Sequence, residues 1–298
     1  MNTQAIRLVL AALLVWSGSC QVRSQSAHGR VDEGLTIESK TLGKPVRYTI
    51  YLPPDYDSSH RIYPVVYLLH GYSDNDTGWL QFGEANRIAD EGIANGAIPP
   101  LILVMPDGGV SFYINNFDGS VRYEDFFIKE FIPQIEAKYR IRAERQYRGI
   151  AGLSMGGFGA LVHALRHPDL FAACVAFSAG VRTDQEAIEQ SEQRWNQVYA
   201  PVYGPGLKGK DRITDHFKSY DPLHIVREGS PDRFKEVRFY IDCGDDDALS
   251  KGNCALHVAL SDLKIAHEFR VRDGGHTWSY WRTGLPDGLK FIGTSFHR

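Results

Sequence analysis

The chain has 298 residues, 43% of them hydrophobic and 12% aromatic, enough to bury the core of a single α/β domain. A formal net charge of −3 gives no charge-based case for binding nucleic acid or an anionic membrane surface. No Gly-x-Gly-x-x-Gly sits between a predicted strand and a helix, and no internal repeat or low-complexity tract is present.

The N-terminus carries Arg7 and then an unbroken apolar run from Leu8 to Trp16. That run is too short to span a bilayer and suits the apolar core of an export signal. Small residues follow at 17–19 and 24–27, so cleavage is expected between 19 and 27, with 1–26 taken as signal and 27–298 as the domain. Ser19-Cys20 raises lipid anchoring through Cys20, but Ser17 stands where such signals usually carry an aliphatic residue. A secreted or periplasmic protein without an integral membrane segment is the preferred expectation.

Residues 35–38 and 45–52 read as two opening strands joined near Gly43. Alternation of Val46, Tyr48, Ile50 and Leu52 with Arg47, Thr49 and Tyr51 predicts a half-exposed edge hairpin. The continuous apolar runs 65–69 and 101–105 predict parallel strands covered on both faces. Between them 84–94 should be helical, closing at Asn95-Gly96. Residues 123–140 space Phe127, Phe131, Ile135 and Tyr139 four apart, a helix with one buried stripe that Pro133 would kink. A strand over 147–153, a helix over 155–166 and a strand over 171–178 come next. From Gly180 to about Pro231 the chain is polar, with Trp195, Tyr199, Tyr203 and Phe217 among charges. This reads as a cap-like insertion shaping a pocket, the alternative being a solvated excursion. Strands over 237–243 and 268–272 close the chain. Strands alternating with helices predict an α/β fold, a mainly parallel doubly wound sheet with an N-terminal antiparallel hairpin.

The strand–turn–helix at 147–166 contains Gly152-Leu153-Ser154-Met155-Gly156, a match to G-x-S-x-G. That pattern turns a strand sharply into a helix with the serine hydroxyl exposed at the bend. Its partners are expected downstream, in the order acid then histidine. The strand over 237–243 leads into Gly244-Asp245-Asp246-Asp247, and the last strand turns through Asp273-Gly274-Gly275 to His276. His276 alone among 11 histidines follows the last predicted strand through a glycine turn, which makes it the candidate base. Asp242, Asp245, Asp246 and Asp247 all lie near one strand end, and chemistry by itself leaves the acid open among them. The Asp-x-Asp-x-Asp-Gly spacing of a calcium loop is absent, so no metal is expected there. The Met155 N–H, directly after Ser154 at a helix N-terminus, is one candidate oxyanion donor. The second should come from the loop after His70, where His70-Gly71-Tyr72-Ser73 replaces the lipase-type His-Gly-Gly-Gly.

These pieces, together with Tyr51-Leu52-Pro53-Pro54-Asp55-Tyr56, Tyr63 to Gly71, Cys243-Gly244 with Asp247, and Gly274-Gly275-His276 with Trp278, resemble the putative-esterase family of α/β-hydrolases. That family includes S-formylglutathione hydrolases, feruloyl and acetylxylan esterases, tributyrin-type esterases and mycolyltransferases. The resemblance runs from about residue 35 to the C-terminus. It implies an α/β-hydrolase fold and a Ser154–Asp247–His276 triad, the acid being the aspartate of Cys-Gly-x-x-Asp. Asp246 is the alternative acid, and the remaining aspartates are read as a solvated turn. It further implies that Tyr72 donates its main-chain N–H to the oxyanion. Trp79, on the same loop, reads as packing against the core and not as touching substrate. Cys174 is expected to be a buried small hydrophobe. Cys243 and Cys254 could pair as a disulfide after export, and Cys254 with His257 lacks a second pair of metal ligands.

The reading is a secreted serine carboxylic-ester hydrolase working through an acyl-enzyme, without metal or organic cofactor. Feruloyl, acetyl or other short acyl esters, free or linked to polysaccharide, are the expected substrates. A mycolyltransferase-type acyltransferase and an S-formylglutathione-hydrolase-like thioesterase are alternatives. A non-catalytic binding protein ranks last.

Overall fold

The structure, a computed structural model, describes residues 28–296. The export signal expected over 1–26, with Cys20 in it, lies outside the described residues.

Among the described residues, eight strands form one sheet: β1 (Arg30–Ser39), β2 (Lys44–Leu52), β3 (Val65–Leu69), β4 (Ile102–Pro106), β5 (Arg148–Leu153), β6 (Ala173–Phe177), β7 (Arg238–Gly244) and β8 (His267–Arg272). Their order is β1-β2-β4-β3-β5-β6-β7-β8. The β1–β2 and β2–β4 pairs are antiparallel and all other pairs parallel. This is the α/β-hydrolase arrangement expected from the alternating elements. Every residue of β3, β4, β5 and β6 is buried, as continuous apolar strands between two helical layers must be.

The opening hairpin differs from its expectation. β1 is the edge, whereas β2 lies between β1 and β4 and is buried on both faces from Tyr48 onward. The polar half of its alternation faces a covering layer that satisfies its hydroxyls. Thr49 donates to the Asp76 carboxylate at 2.8 Å and Tyr51 to Asp90 at 2.7 Å. A buried hydroxyl with a carboxylate partner mimics, in sequence, a solvent-facing one.

Helices α1 (Ala85–Ala94), α2 (residues 123–138), α3 (Met155–Arg166), α4 (Ser250–Asp262) and α5 (Trp278–Ser295) cover the sheet. One layer packs α2, α3 and α4 with Phe127, Phe158, Leu161 and Leu256 buried, and the other packs α1 and α5 with Ile88, Trp281, Leu285 and Ile292. In α2 the missing N–H of Pro133 falls directly after a π-turn at Phe127–Phe131, where the wider winding accommodates it. α5 was not read from the sequence, because Gly284, Pro286, Gly288 and Gly293 interrupt its pattern. Two of those glycines serve close packing: an added Cβ at Gly288 would stand 2.7 Å from the Phe177 ring, and one at Gly284 3.1 Å from it.

The polar stretch after β6 folds into short helices rather than a solvated excursion. Thr183, Ser191, Thr214 and Asp221 each cap one through a side-chain oxygen, Thr183 within a full capping box with Glu186. Trp195, Tyr203 and Phe217 are buried. Arg212, also buried, donates to the carbonyls of Ala187 and Ile188 at the end of the first of these helices. No helix among the described residues is long and apolar enough to cross a membrane.

Candidate active site

Ser154 stands between β5 and α3 with φ +52° and ψ −115°, a conformation that side chains rarely adopt. The bend is fastened at both peptide groups. The Ser154 N–H donates to the Phe177 carbonyl at 2.9 Å, and its own carbonyl accepts from Gly180 at 2.9 Å. The flanking glycines are steric requirements. A Cβ on Gly152 would lie 2.3 Å from the Gly156 carbonyl oxygen, and one on Gly156 would lie 2.3 Å from that of Leu69.

The turn after β8 brings His276 to this bend. Its Nε2 lies 2.9 Å from Ser154 Oγ, and its Nδ1 lies 2.8 Å from Asp247 Oδ2. Asp247 is 2% exposed, and its other oxygen accepts the Leu249 N–H at 2.9 Å. Burial works to raise its carboxyl, but hydrogen bonding from His276, from the Leu249 backbone and from Ser178 outweighs burial and holds it below the ordinary value. An ionised carboxylate only accepts, so the proton sits on Nδ1, and Nε2 is left to accept the serine hydroxyl.

The other three aspartates divide. Asp245 and Asp246 are exposed, and Asp245 accepts the Gly274 N–H at 3.0 Å, joining the acid turn to the histidine turn. Asp242 corrects the expectation of a solvated residue: it is fully buried inside β7, bonded by Arg272 at 2.9 Å and by the Tyr280 hydroxyl. A carboxyl buried in the α5 layer needs such partners, and β8 and α5 bring them.

The loop after β3 lies against the same bend. A Cβ on Gly71 would stand 2.6 Å from a Leu153 methyl and 3.7 Å from Ser154 Cβ, and Tyr72 follows directly. His70 fixes this loop from beneath: its Nδ1 donates to the Gly71 carbonyl and its Nε2 accepts the Gly108 N–H, both at 2.8 Å. Tyr113, with φ +61°, donates its hydroxyl to the His70 carbonyl at 3.1 Å. Sequence reasoning singled out neither His70 as a brace nor Tyr113, since their partners are backbone atoms of distant loops. Trp79 is buried as expected, donating to the Leu69 carbonyl at 2.9 Å. Tyr72 packs against Phe112 and reaches the Gln197 carbonyl of the insertion at 3.3 Å. Phe112, Phe158, Arg182 and Tyr199 line a small cavity beside it.

Cys174, Cys243 and Cys254 are all unbonded in the structure, the first two buried. Two groups gather possible metal ligands among the described residues. In the buried one, Glu124, His163 and His167, Arg166 already occupies the carboxylate at 2.7 Å and opposes a cation. The other, Asp245, Asp246 and Asp273, is an exposed cluster of acids.

The Putative esterase family model matches residues 39–292. The chain belongs to the Putative esterase family. An esterase of Mycobacterium tuberculosis is 30% identical over 260 residues, 81% of this chain and 55% of that protein. An acetyl esterase of Caldicellulosiruptor saccharolyticus is 26% identical over 273 residues, 87% of this chain and 96% of the relative. A solved ferulic acid esterase aligns with a TM-score of 0.79 at 33% identity, covering 90% of this chain and 99% of that one. The chain spans about half the length of the mycobacterial esterase that it matches. Within the esterase fold, the Ser154–His276–Asp247 bonds connect three elements at the C-terminal edge of the sheet, where ligands of open α/β sheets bind.

Proposed function

We propose that this family member is a serine carboxylic-ester hydrolase. The observation that carries the reading is the unbroken hydrogen-bond chain from Ser154 Oγ through His276 to Asp247. Ser154 Oγ attacks the ester carbonyl carbon while His276 Nε2 takes its proton, and Asp247 stabilises the imidazolium that results. The N–H groups of Met155 and Tyr72 receive the tetrahedral oxyanion, helped by the positive end of α3. His276 returns the proton to the leaving alcohol. A water molecule, deprotonated by His276, then splits the acyl-enzyme. Every proton is carried by groups on the chain, so the reaction needs no cofactor.

The substrates are feruloyl, acetyl or other short acyl esters, on small molecules or on polysaccharide. The names of the ferulic acid esterase and the acetyl esterase support this class. An exported chain, with 1–26 removed and 27–298 as the working domain, would meet such esters outside the cytosol. The insertion over 180–231 caps the site and shapes its acyl or alcohol pocket. Ser154→Ala is expected to remove about 10⁴ to 10⁶ of kcat on an activated acetate ester while the protein stays folded. A serine-directed phosphonate should label Ser154 alone. Turnover by Ser154→Ala at the wild-type rate would overturn the reading. A panel of nitrophenyl esters beside methyl ferulate and acetylated xylan, with and without added alcohol, separates the acyl classes and hydrolysis from transfer.

A further inference from the structure

Ser154 borders a small cavity on the side away from His276. The histidine turn belongs to β8, whereas Tyr72 and Phe112 follow β3 and β4, on the other side of β5 in the sheet. Phe158 and Gly180 bring the cavity to the nucleophile, since the N–H groups of both donate to the Ser154 carbonyl at 2.9 Å. Phe112, Arg182 and Tyr199 close it further out. The room left is about 20 Å³, space for little more than one water molecule or a methyl group.

The rings around this space are fixed. Phe112 has φ +53° and Tyr113 after it φ +61°, a backbone region that bulky residues keep only where their surroundings hold them. Phe112 is buried and stands edge-on to Phe158, centroids 5.8 Å apart. Tyr199 lies between Phe112 and Trp195, with centroids 5.7 and 5.6 Å away, and its hydroxyl accepts from Arg182 Nε at 2.9 Å. Trp195 is buried in turn and donates to the Gly204 carbonyl at 3.2 Å. Four aromatic rings from the loop after β4, from α3 and from the insertion thus leave no slot for a ring or chain brought by a substrate.

We propose that Phe112 and Tyr199 determine acyl specificity, limiting the site to acyl groups about the size of acetyl. The proposal rests on the serine-hydrolase reading and narrows its substrates. His276 returns its proton to the leaving alcohol, so the alcohol departs on the β8 side and the acyl group retained on Ser154 faces the cavity. A feruloyl ring or a longer alkyl chain enters only if Tyr199 swings away, which breaks its Arg182 bond and its contacts with two rings. If these rings served only to pack the insertion, truncating them would lower stability without changing which ester is preferred.

The test compares kcat/KM on nitrophenyl acetate, butyrate and hexanoate for the wild type, Tyr199→Ala, Tyr199→Phe and Phe112→Leu, with thermal melts. The wild type should fall about tenfold or more from acetate to hexanoate, the scale of discrimination that surplus methylenes meet in a filled pocket. Tyr199→Ala should raise the ratio of hexanoate to acetate by about tenfold. Tyr199→Phe keeps the ring and should keep the wild-type ratio. Should Tyr199→Ala not fold, Phe112→Leu, which thins the facing wall, carries the same expectation. A wild type as fast on hexanoate as on acetate, a folded Tyr199→Ala with the wild-type ratio, or a Tyr199→Phe that loses the preference would overturn the assignment. A wild type that turns over none of the three esters, or a Ser154→Ala that turns them over at the wild-type rate, would instead overturn the serine-hydrolase reading, and the acyl assignment with it.

Discussion

One aspartate in a run of three faces a histidine, and its neighbours serve as internal controls. Asp247 is buried against His276, while Asp246 is exposed and Asp245 holds the Gly274 N–H. Asp247→Asn removes the charge that keeps the proton on Nδ1, a defect that can cost about 10⁴ in rate. Asp246→Asn is expected to lose less than about tenfold, in the range of a surface change. Asp245→Asn should be equally mild because its amide oxygen still accepts from Gly274, whereas Asp245→Ala frees the turn carrying His276 and should cost more. Steady-state kinetics on one ester decides between them. A dead Asp246→Asn beside a working Asp247→Asn would shift the assignment of the acid by one residue. The candidate residues were legible in sequence because strand ends and glycine turns leave local marks. The distinction between Asp242 and Asp247 was not, since what surrounds each comes from α5 and the loop after β8.

Among the elements, the tight strand-to-helix bend makes the sharpest demand on sequence. A methyl group on Gly156 would meet the Leu69 carbonyl at 2.3 Å, and that carbonyl belongs to β3, buried between β4 and β5. Backbone there cannot yield without breaking strand pairing. Gly156→Ala is therefore expected to cost about 3 kcal/mol or more of stability, near the top of the usual range for a point change. Gly96→Ala, with open space around it but φ +74°, should cost only about 1 kcal/mol. Denaturant unfolding of both variants measures the difference. Equal losses would mean that the backbone around Gly156 yields to the methyl group, and that the close approach is not what this glycine protects. Elements with a strong period, such as α1 and α3, were readable, whereas α5 was not. Its glycines and Pro286 look like helix breakers until packing against β6 gives two of the glycines a purpose.

At the scale of the whole molecule, acid lability follows from a histidine folded away in its neutral form. His163 lies on α3, fully buried and 4.7 Å from the Phe127 ring centroid. Burial lowers its pKa from 6.5 to about 3. The unfolded chain therefore binds a proton that the folded one refuses, and stability falls as pH drops below about 6.5. Between pH 6.5 and 5 this amounts to about 2 kcal/mol. Glu124 acts with the same sign at lower pH. Burial would raise its carboxyl, but His167 and Arg166 outweigh burial and hold it well below the carboxylate range, so its contribution is lost as acid protonates it. The melting temperature should fall from pH 7 to pH 5, and His163→Leu should flatten most of that slope. Parallel slopes in the two proteins would place the acid sensitivity elsewhere.

Local pattern by itself determined the alternation of strands and helices, the apolar central strands, the G-x-S-x-G bend and the glycine turn before His276. Each is written in residues close together, through steric limits and periodicity that act over a few positions. Only the tertiary structure decided that β2 is interior, that the polar stretch after β6 buries its aromatics, that Asp242 is buried, and that His70 and Tyr113 fix the loop beside Ser154. Those facts depend on which element lies across from a residue, with partners tens to more than a hundred positions away. A threonine facing solvent and a threonine facing a buried carboxylate are the same letter until the chain has packed.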